Sequence, residues 1–240
     1  MCKTCDRLKE ILKPGDVVNT IGHPKWYEVW FKVPCWAIQR HQRKLFGKDS
    51  RWKDTHTMLY FSPDETFSVE YPEAVMKSLH TFCQSDLTVY RYTRLGLVNF
   101  KTLRDGAMEI VGTKYDVGQL LDIAIFDLLG FENLRLLSVF DFGRKRKVCS
   151  VGVRAAYEYM WKETCQESGE GKYIKLLFGY LDMNKWTDKE LEEFRGVDVE
   201  ATAPAHFANS EYFGDEFALV ARFKDGVELN HSDKSGGIAG

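Results

Sequence analysis

The sequence predicts an α+β domain. Stretches with helical apolar spacing stand near both ends, short β-branched and aromatic runs lie between them, and no linker is long enough to demand a second domain. Residues 4–13 read as a short charged helix stopped by Pro14-Gly15. Asp16 to Gly22 then reads as a strand. Trp26 to Trp36 is dense in aromatics, and Ala37 to Phe46 reads as a helix ending at Gly47. The strand from His56 and the strand Thr66 to Tyr71 flank the turn Ser62-Pro63-Asp64-Glu65, which predicts a hairpin. Leu87 to Tyr92 has strand composition.

Further along, Asp116 to Leu129 has helical spacing and stops at Gly130, and a second helical stretch covers Leu134 to Phe142. A helix is expected from Cys149 to about Glu163. Thr187-Asp188-Lys189-Glu190 caps another through Phe194. Phe217 to Phe223 is a late strand, and the glycine-rich tail at about 232–240 is expected to be disordered. The whole chain, 1–240, is expected to form one domain.

Composition narrows the class. Of the 240 residues, 44% are hydrophobic and 28% charged, as in a soluble globular protein with a real core. A net charge of −2 argues against wholesale nucleic-acid binding, which needs a basic excess. No run of 18 apolar residues exists, so no transmembrane segment is expected. The N-terminus lacks an apolar signal segment, so the default expectation is cytoplasmic, with phage delivery or non-classical export left open. Six cysteines over this length do not resemble a disulfide framework, and a reduced setting fits them. Cys2 and Cys5 form an isolated CxxC, read as two terminal thiols in preference to half a zinc site.

A thiol, an imidazole and an acid are the parts of nucleophilic acyl transfer, and Cys149, His56 and Glu70 supply them. If Tyr60 pairs with Thr66, or Phe61 with Glu65, the hairpin sets His56 opposite Glu70 on one face. Two- or four-residue loops would send them to opposite faces. Val151, Ala155 and Tyr159 form one helical stripe that begins just after Cys149. A thiol at a helix N-terminus meets unpaired N–H groups that favour the thiolate and receive an oxyanion. Arg144 to Lys147 add positive charge just before it. Taken singly, each piece also reads as structural: a strand-edge histidine, a surface acid, a buried small thiol.

The ordered motifs resemble the circularly permuted papain-fold enzymes, the YiiX-like branch of the NlpC-type thiol hydrolase superfamily. Gly15-Asp16-Val17-Val18 looks like the opening strand, His56-Thr57-Met58-Leu59-Tyr60 like the histidine strand, and Val69-Glu70-Tyr71-Pro72 like the acid strand. Gly112-Thr113-Lys114-Tyr115-Asp116 is similar to the Gly-x-x-Tyr-Asp segment, and Val148-Cys149-Ser150 to the nucleophile at its helix start. Pro204 to Ser210 is similar to the late proline-containing segment. The order His, Glu, Cys is that of the permuted branch. The resemblance implies a permuted papain-like fold, with an antiparallel sheet packed against the Cys149 helix. It also implies an oxyanion or substrate-positioning role for Tyr115. The aromatic and basic stretch at about 23–53 stands outside the family's minimal pattern.

The expected activity is therefore a cysteine-dependent hydrolase that cleaves a peptide-type amide, as in cell-wall peptides, through a thioester. A lipid ester hydrolase or acyltransferase on the same residues is the alternative, and a non-catalytic binding module of the same fold is another. No metal or organic cofactor is required. Trp26, Tyr27, Trp30, Phe31 and Trp36 would line a groove for an acyl chain, or else form core or a packed lid. Arg40, Arg43, Lys44, Lys48, Arg51 and Lys53 suit an anionic substrate or headgroup, or else a solvated face.

Overall fold

The computed structural model describes residues 3–21, 29–48, 50–82, 85–93, 96, 98–116, 118, 146–168, 173–176, 179–182, 202–210 and 217–229. The expected helices at 119–129, 134–142 and 187–194 and the tail at 232–240 lie outside them.

The fold is α+β. Its elements run α1 (Lys3–Ile11), β1 (Val17–Ile21), α2 (Val29–Phe46), β2 (His56–Ser62), β3 (Glu65–Val69), β4 (Ala74–Lys77), β5 (Asp86–Tyr92), α3 (Phe100–Met108), β6 (Lys114–Tyr115), β7 (Arg146–Lys147), α4 (Cys149–Ser168), β8 (Tyr173–Leu176), β9 (Gly179–Asp182), α5 (Pro204–Ala208), β10 (Phe217–Lys224) and β11 (Val227–Glu228). Among the described residues, seven strands form one antiparallel sheet in the order β11-β10-β5-β1-β2-β3-β4.

Both faces of this sheet are covered, which explains why its strands read as continuous apolar runs. Val17, Leu59, Phe67 and Val69 point to one face and pack with Cys149, Val153, Ala156 and Tyr157 of α4. Val18, Met58, Tyr60 and Val89 point to the other and pack with Leu8 and Leu12 from α1 and its C-terminal flank. Gly152 lets α4 lie close: a Cβ there would sit 2.5 Å from Val69 Cγ2. Across the helix layer, Gly106 of α3 faces α4 with little more room: a Cβ there would sit 2.9 Å from Ala156 O and Tyr159.

Several features carried no expectation from the sequence. Strands β4, β6, β7, β8, β9 and β11 and helices α3 and α5 are among them, and α2 starts eight residues before Ala37, taking in Trp30, Phe31 and Trp36 of the aromatic stretch. The turn at Gly15, with positive φ, is pinned by Gly15 N donating to Tyr60 O at 2.8 Å, so α1 stops where expected. Inside that turn Asp16 is wholly buried and takes a two-pronged contact from Arg91, at 2.8 and 2.7 Å.

The thiol expectation needs correction at Cys5. Its sulfur is in a disulfide whose partner lies outside the described residues, so it is not one of two free terminal thiols. Sequence spacing does not report which sulfurs meet in space.

Candidate active site

β2 carries the centre of the site, and its register with β3 decides what meets what. Met58 pairs with Ser68 and Tyr60 with Thr66, a parity that puts His56 and Glu70 on one face. The turn is tight, with Ser62 opposite Glu65. On its own that turn would reverse the faces, but a bulge between Tyr60 and Ser62 restores the parity.

His56 Nε2 lies 2.9 Å from Ser68 Oγ, so a serine, not Glu70, holds this ring nitrogen. Glu70 stands one step behind, with its Oε1 2.7 Å from Lys77 Nζ. Burial takes the imidazole down to about 4, against the pull of the Glu70 charge and with a smaller push from Lys77. At neutral pH His56 is therefore uncharged and able to accept a proton. Its Nδ1 has no hydrogen-bond partner among the described residues.

Cys149 opens α4 as expected, and is buried. Backbone N–H groups of Thr57, Ser150 and Cys149 itself, with the Ser150 side chain, face the sulfur and favour the thiolate. Burial outweighs them and pushes the thiol up to about 11. The expectation of a thiolate activated at rest is thus reversed: four donors do not offset removal from water. The side chains of the basic run before Cys149 lie outside the description.

The sulfur and the imidazole approach adjacent residues of one strand. The pleat puts Thr57 and Leu59 on the α4 face and His56 and Met58 on the α1 face. Cys149 therefore meets the Thr57 amide, while His56 turns to Ser68 and Phe82, whose ring centroid lies 6.4 Å from the imidazole. The peptide linking residues 56 and 57 stands between the two groups.

Tyr115 is held beside the thiol. The parallel pair β6–β7 places Lys114-Tyr115 along the segment that leads into Cys149. On its other side Tyr115 N donates to Pro72 O at 3.0 Å and Gly112 N to Ala74 O at 2.8 Å, just past Glu70. Gly112 has φ 82°, a left-handed conformation that glycine adopts without strain. Burial raises the Tyr115 phenol well above its ordinary range, and the charges of Cys149 and Cys35 add to the effect. Its ring packs on the cluster of Ile38, Val148 and Val151.

A buried polar network, unseen in the sequence, backs the Thr57 segment. Asn19 Oδ1 accepts from Thr57 Oγ1 at 2.9 Å, and Asn19 Nδ2 donates to Asp54 Oδ2 at 2.9 Å and to Pro204 O at 3.0 Å. Gln42 ties α2 in, donating to Asp54 O and accepting from Ala205 N, each at 2.7 Å. Burial takes the Asp54 carboxyl up to about 6, although Asn19, Arg222 and Arg51 pull the other way. The available signal was a polar residue inside Val17-Val18-Asn19-Thr20-Ile21. Ser68 was legible too, two residues before Glu70 and hence on its face.

Trp36 is 45% exposed and so lines no internal groove. Trp26, Tyr27 and the side chains of Trp30 and Phe31 lie outside the description. Among the described residues no group of three His, Cys, Asp or Glu is placed to hold a metal ion. No described helix is long and apolar enough to cross a membrane.

No protein-family model matches the chain, and no curated protein does. Among solved structures it is similar to the crystal structure of the metalloprotein YiiX from Escherichia coli O157:H7. The identity is 15% and the TM-score 0.43, over 89% of this chain and 98% of that one.

Proposed function

We propose that the chain is a cysteine-dependent hydrolase of peptide-type amides with a permuted papain-like arrangement, in which Cys149 is the nucleophile and His56 the base. The observation that carries this reading is the convergence on residues 56–57. A thiol at a helix start, ringed by backbone N–H donors, abuts the residue that follows an uncharged histidine. In this reading the imidazole swings about the first residue of β2 so that its Nδ1 takes the Cys149 proton. The sulfur attacks the carbonyl carbon, and the oxyanion is received by the Thr57 and Cys149 amides, with Tyr115 beside them. His56 then gives its proton to the leaving amine, and water, activated by the same ring, cleaves the thioester. Ser68 and Glu70 orient and polarise the imidazole.

A panel of peptide amides and short-chain esters, with a covalent electrophilic thiol probe, tests this. Cys149→Ala and His56→Ala should each abolish turnover, and Cys149→Ala should abolish probe labelling while Cys35→Ala leaves it intact. Preferential turnover of esters would move the assignment to a lipid-type esterase or acyltransferase. Equal labelling of both cysteine variants refutes the nucleophile.

A second reading, a non-catalytic binding module, is favoured by two observations: the buried thiol is held protonated, and the imidazole stands on the far face of the strand. Absence of turnover across the panel, with Cys149 alkylated no faster than a free thiol, would select it.

A further inference from the structure

We propose that the outer face of α2 docks on an anionic lipid bilayer. From Val29 to Lys53 the sequence carries seven basic side chains and one acidic, in a chain of formal net charge −2. An ordinary solvated helix mixes signs, whereas the sequence of α2 contains no acidic residue. Helix α2 sorts its residues sharply. Ala37, Ile38 and Gln42 are buried against the body of the protein, while Lys32, Trp36, Arg40, Arg43, Lys44 and Leu45 are exposed, with Lys48 and Lys53 beyond the helix end.

Two features separate this face from a general polyanion site. Trp36 is 45% exposed on the same side of the helix as Lys32, Arg40 and Arg43. A tryptophan set among lysine and arginine suits the boundary between headgroups and acyl chains. The cations are also pre-arranged. Arg40 stands 5.2 Å over the Trp36 ring, and Arg43 and Lys53 stand 5.4 and 5.7 Å from the centre of Trp52. Trp52 is fixed in turn by its Nε1 donating to Lys48 O at 3.2 Å. Stacking of this kind orders long side chains before they meet a charged surface, and so lowers the entropy cost of docking.

The proposal stands apart from the hydrolase reading, since none of its residues belongs to the Cys149–His56 site. Docking on α2 does bring the bilayer to the site's own scaffold. The buried side of the helix carries Ile38, packed with Val148 and Val151 beside the nucleophile, and Gln42, bonded to the Asp54 segment.

The test is co-sedimentation of the full chain with vesicles of phosphatidylcholine alone, or of phosphatidylcholine containing phosphatidylglycerol, at low and high salt. Binding is expected only to the anionic vesicles, and should weaken with salt. Each juxtamembrane cation is worth roughly fivefold in partitioning, so Arg43→Glu/Lys48→Glu/Lys53→Glu should lose at least about a hundredfold. Trp36→Ala should weaken binding at every salt concentration, whereas Lys101→Glu, an exposed reversal on α3, should not. Cys149→Ala should bind as the parent does, which keeps this result separate from the fate of the hydrolase. Circular dichroism confirms folding of each variant at these exposed positions. Equal binding to neutral vesicles, full binding by the triple variant, or heparin binding as tight as vesicle binding with no effect of Trp36→Ala would each overturn the proposal.

Discussion

Gly152→Ala tests whether the approach of α4 to the sheet sets the site. The added Cβ would stand 2.5 Å from Val69 Cγ2 and 3.4 Å from the Phe67 ring, where ordinary contact begins at 3.4 Å. Relief requires the first turn of α4 to back off by roughly 1 Å, since β3 is held between β2 and β4 and yields little. Overpacking of this size costs about 1–3 kcal/mol, while alanine returns up to about 1 kcal/mol of helix propensity. The expected net loss is about 1–2 kcal/mol, or roughly 2–8 °C in Tm for a chain of this size. Cys149 lies three residues earlier on the same helix, so its sulfur should retreat from the Thr57 amide and become easier to alkylate. Calorimetry and timed iodoacetamide labelling followed by mass spectrometry read both effects. A Tm equal to or above that of the parent would refute the close-packing argument.

Other consequences can be measured on the same material. In the parent, Cys149 alkylation should still be climbing above pH ~9 toward its value of about 11; a plateau below the free-thiol range of about 8.5 would contradict the burial described. His56 and His206 are held down to about 4 and about 3, so the unfolded chain gains protons first as pH falls below about 6.5. Stability should accordingly be flat above about pH 7 and fall by a few kcal/mol toward pH 4, measured by urea denaturation, and a flat profile there would be incompatible. Asp54, held up to about 6, acts in the opposite sense, gaining stability as it protonates between about 6 and its ordinary 3.8. Asp54→Asn should therefore raise stability at neutral pH by on the order of 2 kcal/mol and steepen the acid-side loss. Arg91→Ala strands the buried Asp16 carboxylate and should cost about 3 kcal/mol or more in urea denaturation, with Asp16→Asn/Arg91→Met closer to the parent.

What the sequence revealed was what local chemistry dictates. Pro14-Gly15 ended a helix, β-branched and aromatic composition marked β5 and β10, and apolar periodicity located the start of α4 at Cys149. The sequence left open whether His56 and Glu70 share a face: the structure closes the hairpin with a two-residue loop, of the kind expected to separate them, and a bulge restores the parity. Quantities that depend on neighbours distant in sequence were hidden. The Cys149 donors were foreseen, but the depth of its burial was not, and burial reverses the direction in which its proton affinity moves. Ser68 at the imidazole, Lys77 on Glu70 and the Asn19–Asp54 link all join residues across strands or loops. The pleat that sets Thr57 toward α4 and His56 away from it required knowing which face each helix covers.

The tie between the first helix and the last hairpin bears on how the molecule comes to be made. Thr4 Oγ1 donates to Gly226 O at 2.6 Å and Arg7 pairs with Glu228 at 2.8 Å, while Ala221 and Phe223 complete the cluster around Leu8 and Leu12. A ribosome must add the 222 residues that separate Thr4 from Gly226 before that greasy surface can be shut. Closure of this cluster should therefore be a slow, long-range step that waits until β10 slots in beside β5.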